Sequence, residues 1–222
     1  MVTRAELKRI PMLVGLPEDE LGRIAQVLSL RTLAEGEFAC RADERSTQLT
    51  FLLEGRVRVS VFSDDGRELS LALLSGGEVF GEIAMLTGSP RTADVIALSN
   101  CTLLTLSRED FFGLLHKCPG FSLHMMKTLA ERLFSTSCKL ADLVFLDLQT
   151  RVLKTIWQIA SPANKGGGQM LIDSFLSRKD LATLVGGSRE AVSRALHSLE
   201  EQGHLDLSDG RIRLVCSEPL WN

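Results

Sequence analysis

Within the 222-residue chain, the stretch Phe80-Gly81-Glu82-Ile83-Ala84-Met85-Leu86-Thr87-Gly88-Ser89-Pro90-Arg91-Thr92-Ala93 holds residues able to do chemistry together. A glycine followed by a short helical turn exposes backbone N–H groups that suit a single phosphate. Arg91 can neutralise that phosphate by a two-pronged, charge-assisted contact, and Thr92 adds a hydroxyl beside it. Glu82 is an acceptor able to take a ribose hydroxyl. A 3′,5′-cyclic nucleotide keeps only its 2′-hydroxyl free, so one acceptor placed opposite one cation fits that shape. Glu82 and Arg91 could equally pair with each other across a loop.

A second stretch, Ser188-Arg189-Glu190-Ala191-Val192-Ser193-Arg194, leads on to His197. Ser188 can cap a helix whose inner face is Val192, Leu196 and Leu199 and whose outer face is Arg189, Glu190, Ser193, Arg194 and His197. Arginine can grip guanine O6 and N7 with two hydrogen bonds, and glutamate can accept from cytosine N4. On the first turns of a helix lying in the major groove, such groups stand where base-reading residues belong. The plainer reading is a solvated face stabilised by ion pairs. Against it stand a preceding helix capped by Ser177 with Asp180, a Gly186-Gly187 turn and a hairpin around Asp209-Gly210. Together these make a winged helix-turn-helix.

Other chemistries find little support. Cys40, Cys101, Cys118, Cys138 and Cys216 are separated by 61, 17, 20 and 78 residues, which is no zinc spacing. The close grouping of His116, Cys118 and His124 reads as packing or surface, and His197 and His204 have no nucleophile signature near them. Neither an enzyme nor a metal or redox cofactor is expected. No uncharged run exceeds the 13 residues from Val95 to Ser107, too short to span a bilayer. The start, Met1 to Glu6, mixes charges and lacks an apolar region, so a cytoplasmic protein without a membrane partner is expected. With 45% hydrophobic and 24% charged residues the composition is globular, and the length suits one large domain or two modest ones. The net charge of −3 is unevenly spread: residues 150–222 hold 9 basic and 8 acidic groups, residues 1–149 hold 16 and 20.

The elements that must position these residues are legible in outline. Residues 1–30 carry apolar residues at helical spacing. From Leu33 to Leu106 short apolar runs alternate with turn signals, predicting about eight antiparallel strands in a sandwich or barrel. Val57, Val59 and Val61 on one face, then Leu69, Leu71 and Leu73 after an Asp-Gly turn, predict a hairpin. Ser107 to Asp110 opens a short helix ending before Pro119, and a long helix follows from about Gly120 to Asp147. Along it Met126, Leu129, Leu133, Thr136, Leu140 and Leu143 recur at steps of three and four, the seam of a parallel dimer or a face packed on its own barrel. A helix from Arg151 to Ala160 and a glycine-rich loop, 161–168, lead into the helix-turn-helix.

The Ser188–Arg194 segment resembles the recognition helix of the bacterial cyclic-AMP receptor protein and fumarate–nitrate regulator family, closest to the cyclic-AMP receptor protein branch. The Gly81–Thr92 string is similar to that family's phosphate-binding cassette, with the nine-residue Glu-to-Arg spacing of eukaryotic kinase regulatory subunits. Thr136 to Asp147 is similar to its dimer helix. The resemblance implies an α+β fold: an antiparallel β-roll forming a cyclic-nucleotide-binding domain with flanking helices (1–118), a dimerisation helix and hinge (119–147), and a winged helix-turn-helix (148–222). It implies that Gly81, Glu82, Ile83, Ala84, Arg91 and Thr92 hold ribose and phosphate. Arg132 would approach the pocket, and Thr136 and Ser137, one from each subunit, would contact adenine. Cyclic AMP is the effector so implied, with cyclic GMP possible because threonine follows Arg91. It implies a homodimer on palindromic double-stranded DNA with a TGTGA-like half-site, read by Arg189, Glu190 and Arg194. Ser193 stands where the receptor protein has glycine. RNA polymerase is an implied partner through loop 161–168, and Phe145-Leu146-Asp147 is the implied hinge.

Overall fold

The computed structural model describes residues 2–45, 48–160, 177–208 and 211–215 and the backbone of 170–171. Loop 161–168, the Asp209-Gly210 turn and Cys216 lie outside the described residues. The chain divides into two compact units, Met1–Phe134 and Ser135–Asn222.

In the first unit, helix α1 (Arg4–Leu7), a 3₁₀ turn (Pro11–Leu13) and α2 (Glu18–Val27) precede eight strands. These are β1 (Leu28–Leu33), β2 (Phe38–Cys40), β3 (Gln48–Glu54), β4 (Arg56–Phe62), β5 (Glu68–Ser75), β6 (Val79–Phe80), β7 (Asp94–Ala97) and β8 (Cys101–Ser107). A short helix, α3 (Glu82–Thr87), lies between β6 and β7, and α4 (Arg108–Lys117) follows β8. The strands form two four-stranded antiparallel sheets in the orders β1-β8-β3-β6 and β2-β7-β4-β5.

The run Leu49 to Leu53 has no alternation because β3 is buried on both faces. Leu49, Phe51 and Leu53 join Leu104 and Leu106 of β8 in a core with Leu7, Ile24, Phe111 and Phe121 from the helices. Leu52 joins Leu103, Val57, Leu74 and Val95 in a second core drawn from both sheets. One central pair of strands thus serves two cores, which explains its continuous apolar sequence.

The predicted hairpin forms, with β4 paired to β5, but its faces differ from the simple alternation. Val59 pairs with Ala72 and Ser60 with Ser70, leaving Leu71 as an extra residue. Such a bulge moves every later side chain to the opposite face. Val57 and Leu74 are buried together with Ser60 and Ser70, while Leu71 is exposed. The expected Leu69-Leu71-Leu73 face is therefore replaced. The N-terminal helical reading likewise runs too far, since Leu28 to Leu30 belong to β1.

Helix α5 (Pro119–Phe145) begins with its first amides satisfied from afar: the buried Glu20 carboxylate accepts from Gly120 N at 3.2 Å and Phe121 N at 3.1 Å. It is two residues shorter than expected at its end. Leu129 packs against the helical core, but Met126, Leu133, Leu140 and Leu143 stay exposed.

In the second unit, α6 (Leu148–Ala160) is followed by β9 (Met170–Leu171), α7 (Arg178–Val185), α8 (Arg189–Glu201), β10 (Leu205–Asp206) and β11 (Arg213–Leu214). The hairpin β10-β11 forms as expected, and β9 adds a third strand on β11 that the sequence pattern did not indicate. Asp147 caps α6: its Oδ1 accepts from Thr150 N at 2.7 Å, and those bonds hold its carboxyl below the usual carboxylate range.

One chemical change tests two glycine environments. A Cβ added at Gly113, in α4, would meet nothing within 4 Å, so Gly113→Ala raises stability by about 0.5–1 kcal/mol. At Gly120 the same methyl would meet Leu16 Cδ2 at 2.7 Å and Glu20 Oε2 at 2.9 Å. Gly120→Ala therefore lowers stability by about 1–3 kcal/mol; urea unfolding midpoints report both. The Asp147 cap stabilises once its carboxyl is ionised and fades as pH falls through its lowered folded value. Asp147→Ala should cost about 1 kcal/mol at pH 7 and much less near pH 2, by unfolding at the two pH values.

Candidate ligand pocket and nucleic-acid interface

Chain direction reverses at Gly81, between β6 and α3, where the backbone is left-handed (φ 89°). A Cβ there would collide with the Arg91 guanidinium and come within 3.0 Å of the Gln48 carbonyl oxygen. Glycine is thus required twice over, by conformation and by the approach of Arg91.

Arg91 is buried, 5% exposed, and held before any ligand is considered. Its Nη1 donates to Gly81 O at 3.1 Å and its Nη2 to Gln48 O at 2.6 Å. Its backbone is clamped as well, with Arg91 N donating to Glu44 O and Asp43 N to Arg91 O, both at 2.9 Å. Glu82 is also buried, and its Oε1 pairs with Arg132 Nη1 of α5 at 2.8 Å. Arg132 donates in addition to Val79 O. Ala84 is buried; Ile83 and Thr92 are exposed. Gly81, Glu82, Ala84, Arg91 and Arg132 are thereby brought together within the first unit. Thr136 and Ser137 lie four and five residues beyond Arg132 on α5, exposed, within the second unit.

Two supports of this site had no legible signal. Gln48 contributes a main-chain carbonyl, which any residue carries. Arg108 of α4 donates from Nη1 to Met85 O at 2.5 Å, near the end of α3, where a cation meets unsatisfied helix carbonyls. Its only trace in the sequence was a basic residue in a capping segment 23 positions away. Cys40 packs in the second core, and burial pushes its thiol up, away from nucleophilic chemistry. His116 and His124 each bond a main-chain carbonyl, of Phe112 and Met12, so their grouping with Cys118 is packing. No metal-binding group occurs among the described residues.

The helix-turn-helix is set by its caps. Ser177 and Asp180 form the capping box of α7, and α7 ends at Gly186 in the left-handed region (φ 67°). Ser188 caps α8 by accepting from Ala191 N at 3.2 Å. Val192, Ala195, Leu196 and Leu199 are buried, and Arg189, Glu190, Arg194 and His197 are exposed, with Ser193 half-buried. Among the described residues Arg189, Glu190 and Arg194 have no ion-pair partner, so the outer face is not a set of mutual salt bridges. His197 Nδ1 lies 3.6 Å from Glu200 Oε2, and Glu200 Oε1 accepts from Leu207 N at 3.1 Å, tying the wing to α8. Arg213 and Asp206 pair at 3.3 Å across β10-β11.

Comparison with known proteins agrees with this geometry. Residues 30–118 match the cyclic nucleotide-binding domain family, and residues 150–220 match the Crp-like helix-turn-helix domain. The chain is 30% identical over 208 residues to the cyclic AMP receptor protein of Thermus thermophilus, covering 94% of each. It is 34% identical over 175 residues to the cAMP-activated global transcriptional regulator CRP of Pasteurella multocida, covering 78% of this chain and 83% of that one. Among solved structures, the c-di-GMP-responsive global regulator CLP of Xanthomonas campestris matches with a TM-score of 0.80 at 25% identity, over 90% of this chain and 100% of that one. A cyclic nucleotide-binding domain ahead of a Crp-like helix-turn-helix, in a chain alike from end to end to receptor proteins of that kind, makes this protein a member of the CRP family of cyclic-nucleotide-responsive transcriptional regulators.

Proposed function

We propose that this regulator takes cyclic AMP as its effector and, as a homodimer in the cytoplasm, reads a palindromic site on double-stranded DNA. The observation that carries the reading is the buried Arg91 guanidinium, held on the Gly81 and Gln48 carbonyls at the start of α3. The cyclic phosphate is received by Arg91, Thr92 and the amides of Ile83 and Ala84; the ribose 2′-hydroxyl is received by Glu82, whose carboxylate Arg132 holds in place. Thr136 and Ser137 take the base edge, and the exposed Met126, Leu133, Leu140 and Leu143 are covered by the same helix of a second copy.

The chain then works in three parts: residues 1–118 bind ligand, 119–147 dimerise and hinge, and 148–222 read DNA. Arg189, Glu190 and Arg194 meet base edges; Ser188, Ser193 and His197 flank them. RNA polymerase is the protein partner, with no catalysis by the regulator itself. The likeness to a c-di-GMP-responsive regulator supports a second reading, in which a different cyclic nucleotide occupies the first unit.

Calorimetry with cyclic AMP, cyclic GMP and cyclic di-GMP separates these readings. Cyclic AMP should bind tightest, and Arg91→Ala should weaken it by about 100-fold, the worth of a charge-assisted phosphate contact. Unchanged binding in that variant removes the phosphate assignment. For DNA, Arg189→Ala should weaken binding to a TGTGA palindrome by about 10-fold or more while leaving random-sequence binding nearly intact, by anisotropy at fixed salt. Equal losses on both DNAs would make Arg189 a backbone contact.

A further inference from the structure

Helix α6 is the bed on which the reading head rests. Its buried Val152, Leu153 and Ile156 lie on the side where α7 and α8 pack. Gln149 Nε2 donates to Gln202 Oε1 at 3.0 Å, and Ser198 Oγ donates to Gln149 Oε1 at 3.3 Å, so the start of α6 is fastened to the end of α8. A Cβ on Gly187 would come within 2.9 Å of Leu148 Cδ1, so the turn before α8 sits directly against the first residue of α6. Wherever α6 points, α8 follows.

What aims α6 is the joint behind it. Leu146 and Asp147 belong to neither α5 nor α6: the bond from Leu146 N to Asp142 O closes the end of α5 and the bond from Arg151 N to Asp147 O opens α6, each 3.0 Å. Two side chains close the joint. Arg151 donates from Nη1 to Leu146 O at 2.9 Å and from Nε to Val185 O at 3.2 Å, linking the joint to the end of α7. Lys154 Nζ meets Asp142 Oδ1 at 2.6 Å, from the middle of α6 to the last turn of α5, with only 18% and 21% of the two side chains exposed. A pair so covered is screened little by salt and tolerates little change in geometry.

We propose that Asp142 and Lys154 are positioning residues for DNA reading, an ionic latch that sets the angle at which α6, and with it α8, leaves the last turns of α5. The proposal rests on the reading that α8 meets DNA in response to a ligand. Each charge acts through the other: twelve residues apart on two helices, they constrain the angle between those helices and nothing within either. The joint is the covalent link between α5 and the helices that follow it, so a loosened latch weakens what a ligand acting on α5 passes to α8.

The test uses full-length Asp142→Asn, Lys154→Met and the exchanged pair Asp142→Lys with Lys154→Asp. Amide hydrogen exchange is read first, without ligand or DNA. Each single variant should exchange the Leu146 and Arg151 amides about tenfold faster, with the exchanged pair returning toward wild type. The ratio of DNA affinities with and without cyclic AMP should fall by about fivefold or more in the single variants and recover in the pair. Wild-type exchange at the joint in both single variants overturns the latch, as does a pair that restores nothing. Equal acceleration across α6, α7 and α8 would mark a general loss of stability and overturns it too. A wild type whose DNA binding ignores every cyclic nucleotide overturns the functional reading instead, and the ligand-free exchange rates still decide the latch.

Discussion

A buried guanidinium is the constraint around which the N-terminal unit is arranged. Placing Arg91 at 5% exposure takes a permanent charge out of water, which is costly unless polar atoms replace the lost solvent. Carbonyls of Gly81 and Gln48 do so, from β6's end and from β3. Much else follows from seating that group. Position 81 has no room for a side chain, β3 must stay in register with β6 so that Gln48 faces the turn, and the Asp43–Glu44 segment must hold the Arg91 backbone. A fixed Arg91 guanidinium and a fixed Glu82 carboxylate near the same turn suit a small ligand with one anionic group and one free hydroxyl. The polar geometry is in place before the ligand arrives, so little ordering remains to oppose binding.

In the second unit the constraint is mechanical. Short helices have few internal bonds, and α7 and α8 owe their placement to caps and to packing on α6. Among the described residues, that packing leaves Arg189, Glu190 and Arg194 exposed and without an ion-pair partner, which suits the proposed contact with base edges. A reading portion with nearly balanced charge gathers few phosphate contacts, and so depends on two copies and on their geometry for affinity. The whole-chain charge of −3 carried none of this, because it averages an acidic sensing portion with a slightly basic reading portion.

Local chemistry was legible in the sequence and distant chemistry was not. The caps at Ser177 and Ser188, the glycine turn, the inner faces of α7 and α8 and the strand-rich middle all rest on neighbours within a few residues, and each was readable. The alternation of β5 failed because a single bulged residue, Leu71, has no sequence mark distinguishing it from an ordinary strand leucine. β9 is two residues long, too short for any period. The pairing of Glu82 was missed for another reason, although the family resemblance set Arg132 near the pocket. Sequence spacing set Glu82 against Arg91, nine residues on, whereas the fold brings it Arg132 from a helix fifty residues away. Glu20 on the α5 amides and Arg108 on the end of α3 are of the same kind, polar groups whose partners only tertiary structure supplies.

The account stands or falls on whether the two units communicate. Binding is reciprocal by thermodynamic necessity: if cyclic AMP tightens DNA binding by some factor, DNA must tighten cyclic AMP binding by the same factor. The direct measurement is the cyclic AMP dissociation constant of the full-length protein, determined by calorimetry with and without a saturating palindromic site. The account predicts a constant lowered about 5- to 150-fold by the DNA, matching the enhancement of DNA affinity by the nucleotide. An identical constant in the two conditions would contradict it.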